Sequence, residues 1–242
     1  MNDTVKQLFE RKSVRVFEDR EISREDRELI LRAATEAPTA GNQQLYTIID
    51  VTSEEKKARL AESCDHQPFI EKAKLVLVFC ADTLKWYKAF RDAGCKPRDI
   101  GIGDLMLAVS DANIAAQNAV VAAHSLGIGS CYIGDIMENR DLQKDILGLP
   151  DYVFPAAMLV FGYPTPQQLE REKPKRADME YIVAENSYPE MDGEYLRGML
   201  RHSMGTEGYD EKIQAFCRRK YNSGFSREMT RSVEEYVKEY LK

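Results

Sequence analysis

Two kinds of apolar spacing alternate along this chain. After Ser23, apolar residues recur at helical intervals at Leu29, Ile30, Ala33, Ala34 and Ala37. That spacing predicts a helix with one buried stripe. Ser23 is placed as its N-cap, Asp26 stands three residues on in a capping-box position, and Pro38 ends it. A shorter pattern predicts a first helix from the cap Asp3 to about residue 11. Residues 104–126 predict a long one, with Gly127 placed to stop it. Its alanines, from Ala108 to Ala123, cover more than one face. Ile114, Val120, Val121 and Leu126 among them favour a central, closely approached helix over one that only has high propensity.

Strand signals are fewer. Residues 45–51 are rich in β-branched side chains. Residues 75–80 form a continuous apolar run, which suits a strand buried on both faces. Residues 156–161 are a third candidate. Tyr132-Ile133 reads as a strand end, followed by a short helix over 141–147. Beyond Tyr188 the chain is charged and helical, over 211–221 and 226–241, with glycines at 193, 205, 208 and 224. This tail has little core of its own, which suits wrapping a second copy of the chain. The expected division is a core over 1–187 and a helical, dimer-wrapping extension over 188–242.

Composition narrows the classes. With 43% hydrophobic residues over 242 positions, the chain can bury a sizeable core. A net charge of −6 argues against a general nucleic-acid binder. No uninterrupted run of about 18 apolar residues is seen, so no membrane span is expected. The first residues carry no apolar signal core, and a cytoplasmic setting is expected. The cysteines at 64, 80, 95, 131 and 217 and the histidines at 66, 124 and 202 have no metal-ligand spacing. Reduced thiols and no metal centre follow.

Within this acidic chain, Arg11-Lys12-Ser13-Val14-Arg15 gathers three cations and a hydroxyl. Two readings fit: a solvated basic turn at a helix end, or fixed donors for an anion, since guanidinium groups match phosphate. A second cluster, Lys173-Pro174-Lys175-Arg176, favours the anion, because two separated clusters can converge on one phosphate. Nucleotide loops are missing. There is no P-loop, and both Gly101-Ile102-Gly103 and Gly127-Ile128-Gly129 lack the third glycine of a dinucleotide fingerprint.

Two further segments stand between the clusters, Ala37-Pro38-Thr39-Ala40-Gly41-Asn42-Gln43-Gln44 and Gly127-Ile128-Gly129-Ser130-Cys131-Tyr132-Ile133-Gly134. Ala184-Glu185-Asn186-Ser187-Tyr188 trails the second basic cluster. In order and separation the set resembles the FMN-dependent nitroreductase family, in its oxygen-insensitive nitroreductase and flavin reductase branch. The resemblance implies an α+β fold, with a central, mostly antiparallel sheet flanked by helices and a C-terminal extension crossing to the partner. It implies a homodimer with FMN at the interface, and hydride transfer from NADPH or NADH through FMN to a small-molecule acceptor such as a nitroaromatic, a quinone or a flavin. A module that binds FMN as a sensor or carrier, without turnover, is the alternative.

The resemblance also implies the cofactor contacts. Arg11, Lys12, Ser13 and Arg15 would meet the phosphate, ribityl chain and pyrimidine edge, with Lys173, Lys175 and Arg176 completing the phosphate clamp. Thr39, Gly41, Asn42 and Gln44 would border the isoalloxazine from the other subunit. Gln67, in Gln67-Pro68-Phe69, would contact the flavin, and Tyr132, Ile133, Gly134 and Asp135 would lie beside it. Asp135 departs from the family, where a second glycine is common. No side chain is expected to act as a nucleophile. Cys131 reads as a packing residue, Trp86 and Tyr87 as core or acceptor lid, and Arg218-Arg219-Lys220 as a solvated face or a contact for the 2′-phosphate of NADPH.

Overall fold

The computed structural model describes residues 1–241. Four strands form one sheet: β1 (Tyr46–Asp50), β2 (Leu75–Asp82), β3 (Gly129–Ile133) and β4 (Val153–Gly162). Their order is β1-β2-β4-β3, with every neighbouring pair antiparallel. β2 and β4 hold the centre and every residue of both is buried. A continuous apolar run is what an antiparallel strand needs when both faces of its sheet are covered.

Eleven α-helices occur among the described residues: α1 (Asp3–Glu10), α2 (Arg24–Thr35), α3 (Glu54–Ser63), α4 (Pro68–Glu71), α5 (Leu84–Asp92), α6 (Ile102–Ser125), α7 (Arg140–Leu147), α8 (Pro166–Glu170), α9 (Gly193–Met204), α10 (Tyr209–Lys220) and α11 (Gly224–Val237). Alternate strand residues serve two cores. Leu75, Leu77, Phe79, Leu159 and Phe161 pack with the alanines of α6, with Ile30 and Ala34 of α2, and with Tyr236. Val76, Val78, Cys80, Met158 and Val160 face the other way, onto Leu60 of α3 and Ile146 of α7. The α+β arrangement is therefore a sheet sandwiched by helices.

Element starts follow local chemistry. Ser23 Oγ accepts the Asp26 N–H at 3.0 Å, the capping bond expected for α2. For α1 the cap is Asn2, whose Oδ1 accepts from Val5 N–H, so Asp3 is the first helical residue instead. β4 starts at Val153, before Pro155, where the sequence suggested residue 156. Pro155 sits opposite Cys80, where the register shifts between Phe79 and Cys80, so its missing N–H is tolerated.

α6 meets the expectation of a central, closely approached helix. Among the described residues it is the one helix long and apolar enough to cross a bilayer. Its alanine face is instead the centre of the core, buried from Leu105 to Ala123.

The chain forms two compact units. The first holds residues 1–171 and 228–242; the second holds 172–227. The expected division fell at 187/188. The difference has a physical source: Tyr236 and Tyr240 are buried in the first unit's core, with Tyr236 edge-on to Phe154, while the second unit closes on itself through Tyr181, Tyr195 and Gly198.

Candidate cofactor site

α1 ends at Arg11, whose backbone turns extended. The next residues lie along β3. Ser13 bridges Ser130 in parallel, and Val14 N–H donates to Ser130 O at 2.9 Å. Val14 is buried directly over Gly129, where a Cβ would stand 2.7 Å from its Cγ2. Gly129 thus lets the basic segment reach the sheet edge, and two segments far apart in sequence become neighbours. Gly162 admits Phe17 in the same way.

The side chains of the pentad then divide. Arg11 is half-buried, and its Nε is fully enclosed with no hydrogen-bond partner among the described residues. Burial pushes the Tyr132 hydroxyl up to about 12, with Arg11 opposing the rise. Burial also raises the Cys131 thiol, against Arg15, Ser13 and Arg11. These groups therefore lie around one stretch of β3. A buried thiol raised in this way is a packing residue, not a nucleophile. Lys12 turns away, donating its ammonium to Leu169 O at 2.7 Å and to Arg171 O. Arg171 in turn donates to Ser13 O, and Arg15 N–H donates to Gln168 Oε1 at 3.3 Å.

Residues 39–44 form a separate loop. Ala40, Gly41 and Asn42 make a 3₁₀ turn, and Gly41, Asn42 and Gln44 are left-handed, with φ of 57°, 56° and 49°. Thr39 Oγ1 accepts Gln44 N–H at 2.7 Å, and Gln44 Nε2 donates to Thr35 O at 3.1 Å. Trp86 Nε1 donates to Gln43 O at 2.7 Å. Trp86 and Tyr87 line a cavity of about 360 Å³ with Phe90 and Ile100, and Trp86 also packs on the core.

Gln67 and Asp135 meet. Gln67 Nε2 donates to Asp135 Oδ2 at 3.1 Å and to Cys64 O at 2.8 Å. The carboxylate that departs from the family pattern thus engages the amide expected to face the flavin. Gly134 opens a 3₁₀ turn, Gly134–Met137, and its Cα faces open space. Behind it Glu138 is buried, and burial, then Asp135, Asp65 and Glu228, push its carboxyl up to about 7.

Lys173, Lys175 and Arg176 belong to the second unit, in an irregular stretch before the turn Met179–Tyr181. Arg218, Arg219 and Lys220 lie there too, at the exposed end of α10. The sequence reading missed Arg171 and Gln168, which hold the pentad's backbone. Arg171 stands two residues before the second basic cluster, which is the signal that would have drawn it in.

Arg11 and Arg15 thus flank β3 with no ion pair among the described residues, and Gly134 faces open space. Residues 8–163 match the model of the nitroreductase family. The chain belongs to that family. Among nitroreductase-family relatives, it is 33% identical over 224 residues to FMN reductase (NADPH) of Bacillus subtilis, covering 92% of this chain and 86% of that protein. It is 31% identical over 197 residues to the oxygen-insensitive NADPH nitroreductase of Salmonella typhimurium, covering 81% and 79%. Of solved structures, NfrA1 nitroreductase from B. subtilis superposes with a TM-score of 0.82 at 28% identity, covering 98% of each chain. NADPH:FMN oxidoreductase from Vibrio harveyi, complexed with NAD+, does so with a TM-score of 0.79 at 25% identity, again over 98% of each.

Proposed function

We propose that this chain is an NAD(P)H-dependent FMN oxidoreductase that reduces nitroaromatics, quinones or flavins as a homodimer. The observation that carries the reading is the docking of residues 11–15 onto β3, with the Arg11 Nε enclosed and without a hydrogen-bond partner among the described residues. A buried donor without an acceptor is costly, and a phosphate or flavin oxygen would satisfy it. The residues present therefore fit FMN. When bound, FMN supplies the redox chemistry, a two-electron exchange between NADPH or NADH and the acceptor.

The chain's own work is binding and electrostatics. Arg11 and Ser13 anchor the anionic end, with Lys173, Lys175 and Arg176 as further phosphate ligands. Arg15 places a cation where negative charge grows on reduction. Tyr132, Ile133, Gly134 and Asp135 lie beside the ring with Gln67, while Thr39, Gly41, Asn42 and Gln44 border it from the other subunit of the homodimer. Lys12 acts through the backbone, since its ammonium already holds the end of α8.

The homodimer is supported by an apolar face that the first unit leaves uncovered. Val5, Leu8 and Phe9 of α1 and Met106, Leu107 and Ile114 of α6 are all exposed, and such groups mark interaction surfaces. A segment crossing to the partner falls within 172–227, since Tyr236 and Tyr240 beyond it pack into their own chain's core. All five cysteines are free, in keeping with a cytoplasmic setting.

The test is direct. The purified protein is expected to be yellow or to turn yellow with FMN. Anaerobic NADPH or NADH bleaches it, and a nitroaromatic or quinone restores the colour. Colour without bleaching identifies a sensor or carrier module, and a protein that cannot take up FMN removes the reading altogether.

A further inference from the structure

Asp111 lies in the middle of α6, among Ala108, Ala112 and Ala115, and is 3% exposed. No ion pair reaches it among the described residues. Its two oxygens serve one segment: Oδ1 accepts Ala40 N–H at 3.0 Å and Oδ2 accepts Leu45 N–H at 3.2 Å. One buried carboxylate therefore spans the loop that holds Gly41, Asn42 and Gln44 in left-handed conformations. An alanine would suit the helix better there, since a buried charge is tolerated only when well satisfied. The geometry assigns it to the loop.

We propose that Asp111 is a positioning residue for FMN, fixing residues 39–44 in their binding conformation before the cofactor arrives. The proposal rests on the reading that this loop borders the flavin. The logic is preorganisation. Gly41, Asn42 and Gln44 are exposed, yet their backbone is set from behind by Asp111, from within by Thr39, and from the side by Trp86. A loop fixed in advance loses less entropy on binding.

The chain contains a single tryptophan, and its indole N–H is bonded to the loop at Gln43. Trp86 emission in FMN-free protein therefore reports the loop directly. Asp111→Asn keeps the shape but turns an NH₂ toward one of the two N–H donors. In folded D111N we expect red-shifted, more quenchable Trp86 emission without FMN, and an FMN Kd raised about tenfold or more. Ile30→Val, which loosens the packing of α2 with α6 by one methylene, controls for general destabilisation and should leave both readouts unchanged. Equal effects in both variants, or D111N with wild-type emission and affinity, would overturn the proposal.

Amide exchange in the FMN-free wild type guards against a variant that fails to fold. Protected amides at Ala40 and Leu45 support the clamp, and amides that exchange as freely as exposed loop positions refute it. A wild type that never binds FMN would instead defeat the proposed function, while the exchange and emission readouts of the loop would still stand.

Discussion

Residues 11–15 and residues 39–44 are both proposed to border the flavin, but they are held in different ways. The first segment is held by its backbone. It bridges β3 at Ser13 and Val14, and Gly129 leaves room for Val14 to sit on the sheet edge. That leaves the Arg11 and Arg15 side chains to bind. The second is held by side chains from elsewhere, Asp111 and Trp86, and its backbone presents the binding groups. In the proposed site, one wall would recognise charge and the other shape. Damage to the two walls should therefore be felt differently.

The largest effect is expected where the first wall has no slack. Gly129→Ala places a Cβ 2.7 Å from Val14 Cγ2 and 2.8 Å from its Cβ. Val14 is buried and cannot swing aside, so the pentad must lift from β3. Overpacking of this kind costs about 1–3 kcal/mol. FMN affinity should fall about 100-fold, beyond the loss in stability, because Arg11 and Ser13 move together. Gly134→Ala meets nothing within 4 Å in the protein, so its Tm should stay at the wild-type value. Thermal melts of both variants, with FMN titrations, check the contrast. Equal Tm losses would show that the glycines play the same role.

A smaller effect is expected from charge alone. Arg15 is exposed, and its backbone N–H is held by Gln168. Arg15→Ala should leave the fold intact, weaken FMN modestly and lower the flavin midpoint potential. A loss of about 1.4 kcal/mol in favour of the reduced form corresponds to about 30 mV for two electrons. Spectroelectrochemical titration reads this directly. An unchanged potential at full FMN occupancy would remove Arg15 from that role and leave it an anchor.

The same contrast explains what was legible in the sequence. The pentad and the glycine segment 127–134 were recognisable as motifs because their chemistry lies in the residues themselves. The central strands were legible because burial on both faces leaves only apolar residues. Asp111 was not, because an aspartate in an alanine-rich helix gives no hint that its partners are backbone N–H groups some 70 positions earlier. α3 was missed because its sequence is mostly charged and its buried stripe rests on Leu60 and Ala61. The division at 187/188 placed all of the tail together, since Tyr236 and Tyr240 look like ordinary surface aromatics until the core receives them. Lys12 read as a cofactor ligand together with its neighbours in sequence; its ammonium is donated to the carbonyls of Leu169 and Arg171 at the end of α8.

The turn Gly134–Met137 combines both means of support, and it carries the smallest effect. Gln67 holds it through Asp135, while the adjoining Glu138 is 5% exposed, with Asp135, Asp65 and Glu228 as its charged neighbours. Burial and these carboxylates raise Glu138 from 4.5 to about 7. Between those pH values the folded chain keeps a proton that the unfolded chain has released. Its contribution to stability is therefore greatest below 4.5 and is lost as pH rises through 7. Glu138→Gln cannot ionise and should not show that loss. The variant is expected to match wild type at about pH 4 and to exceed it by about 1 kcal/mol at about pH 8, a figure kept below the full shift because the turn can relax. Denaturant melts across that range decide it. Parallel curves for the two proteins would mean that Glu138 does not hold its proton in the fold, and that the turn depends on the Gln67–Asp135 bond alone.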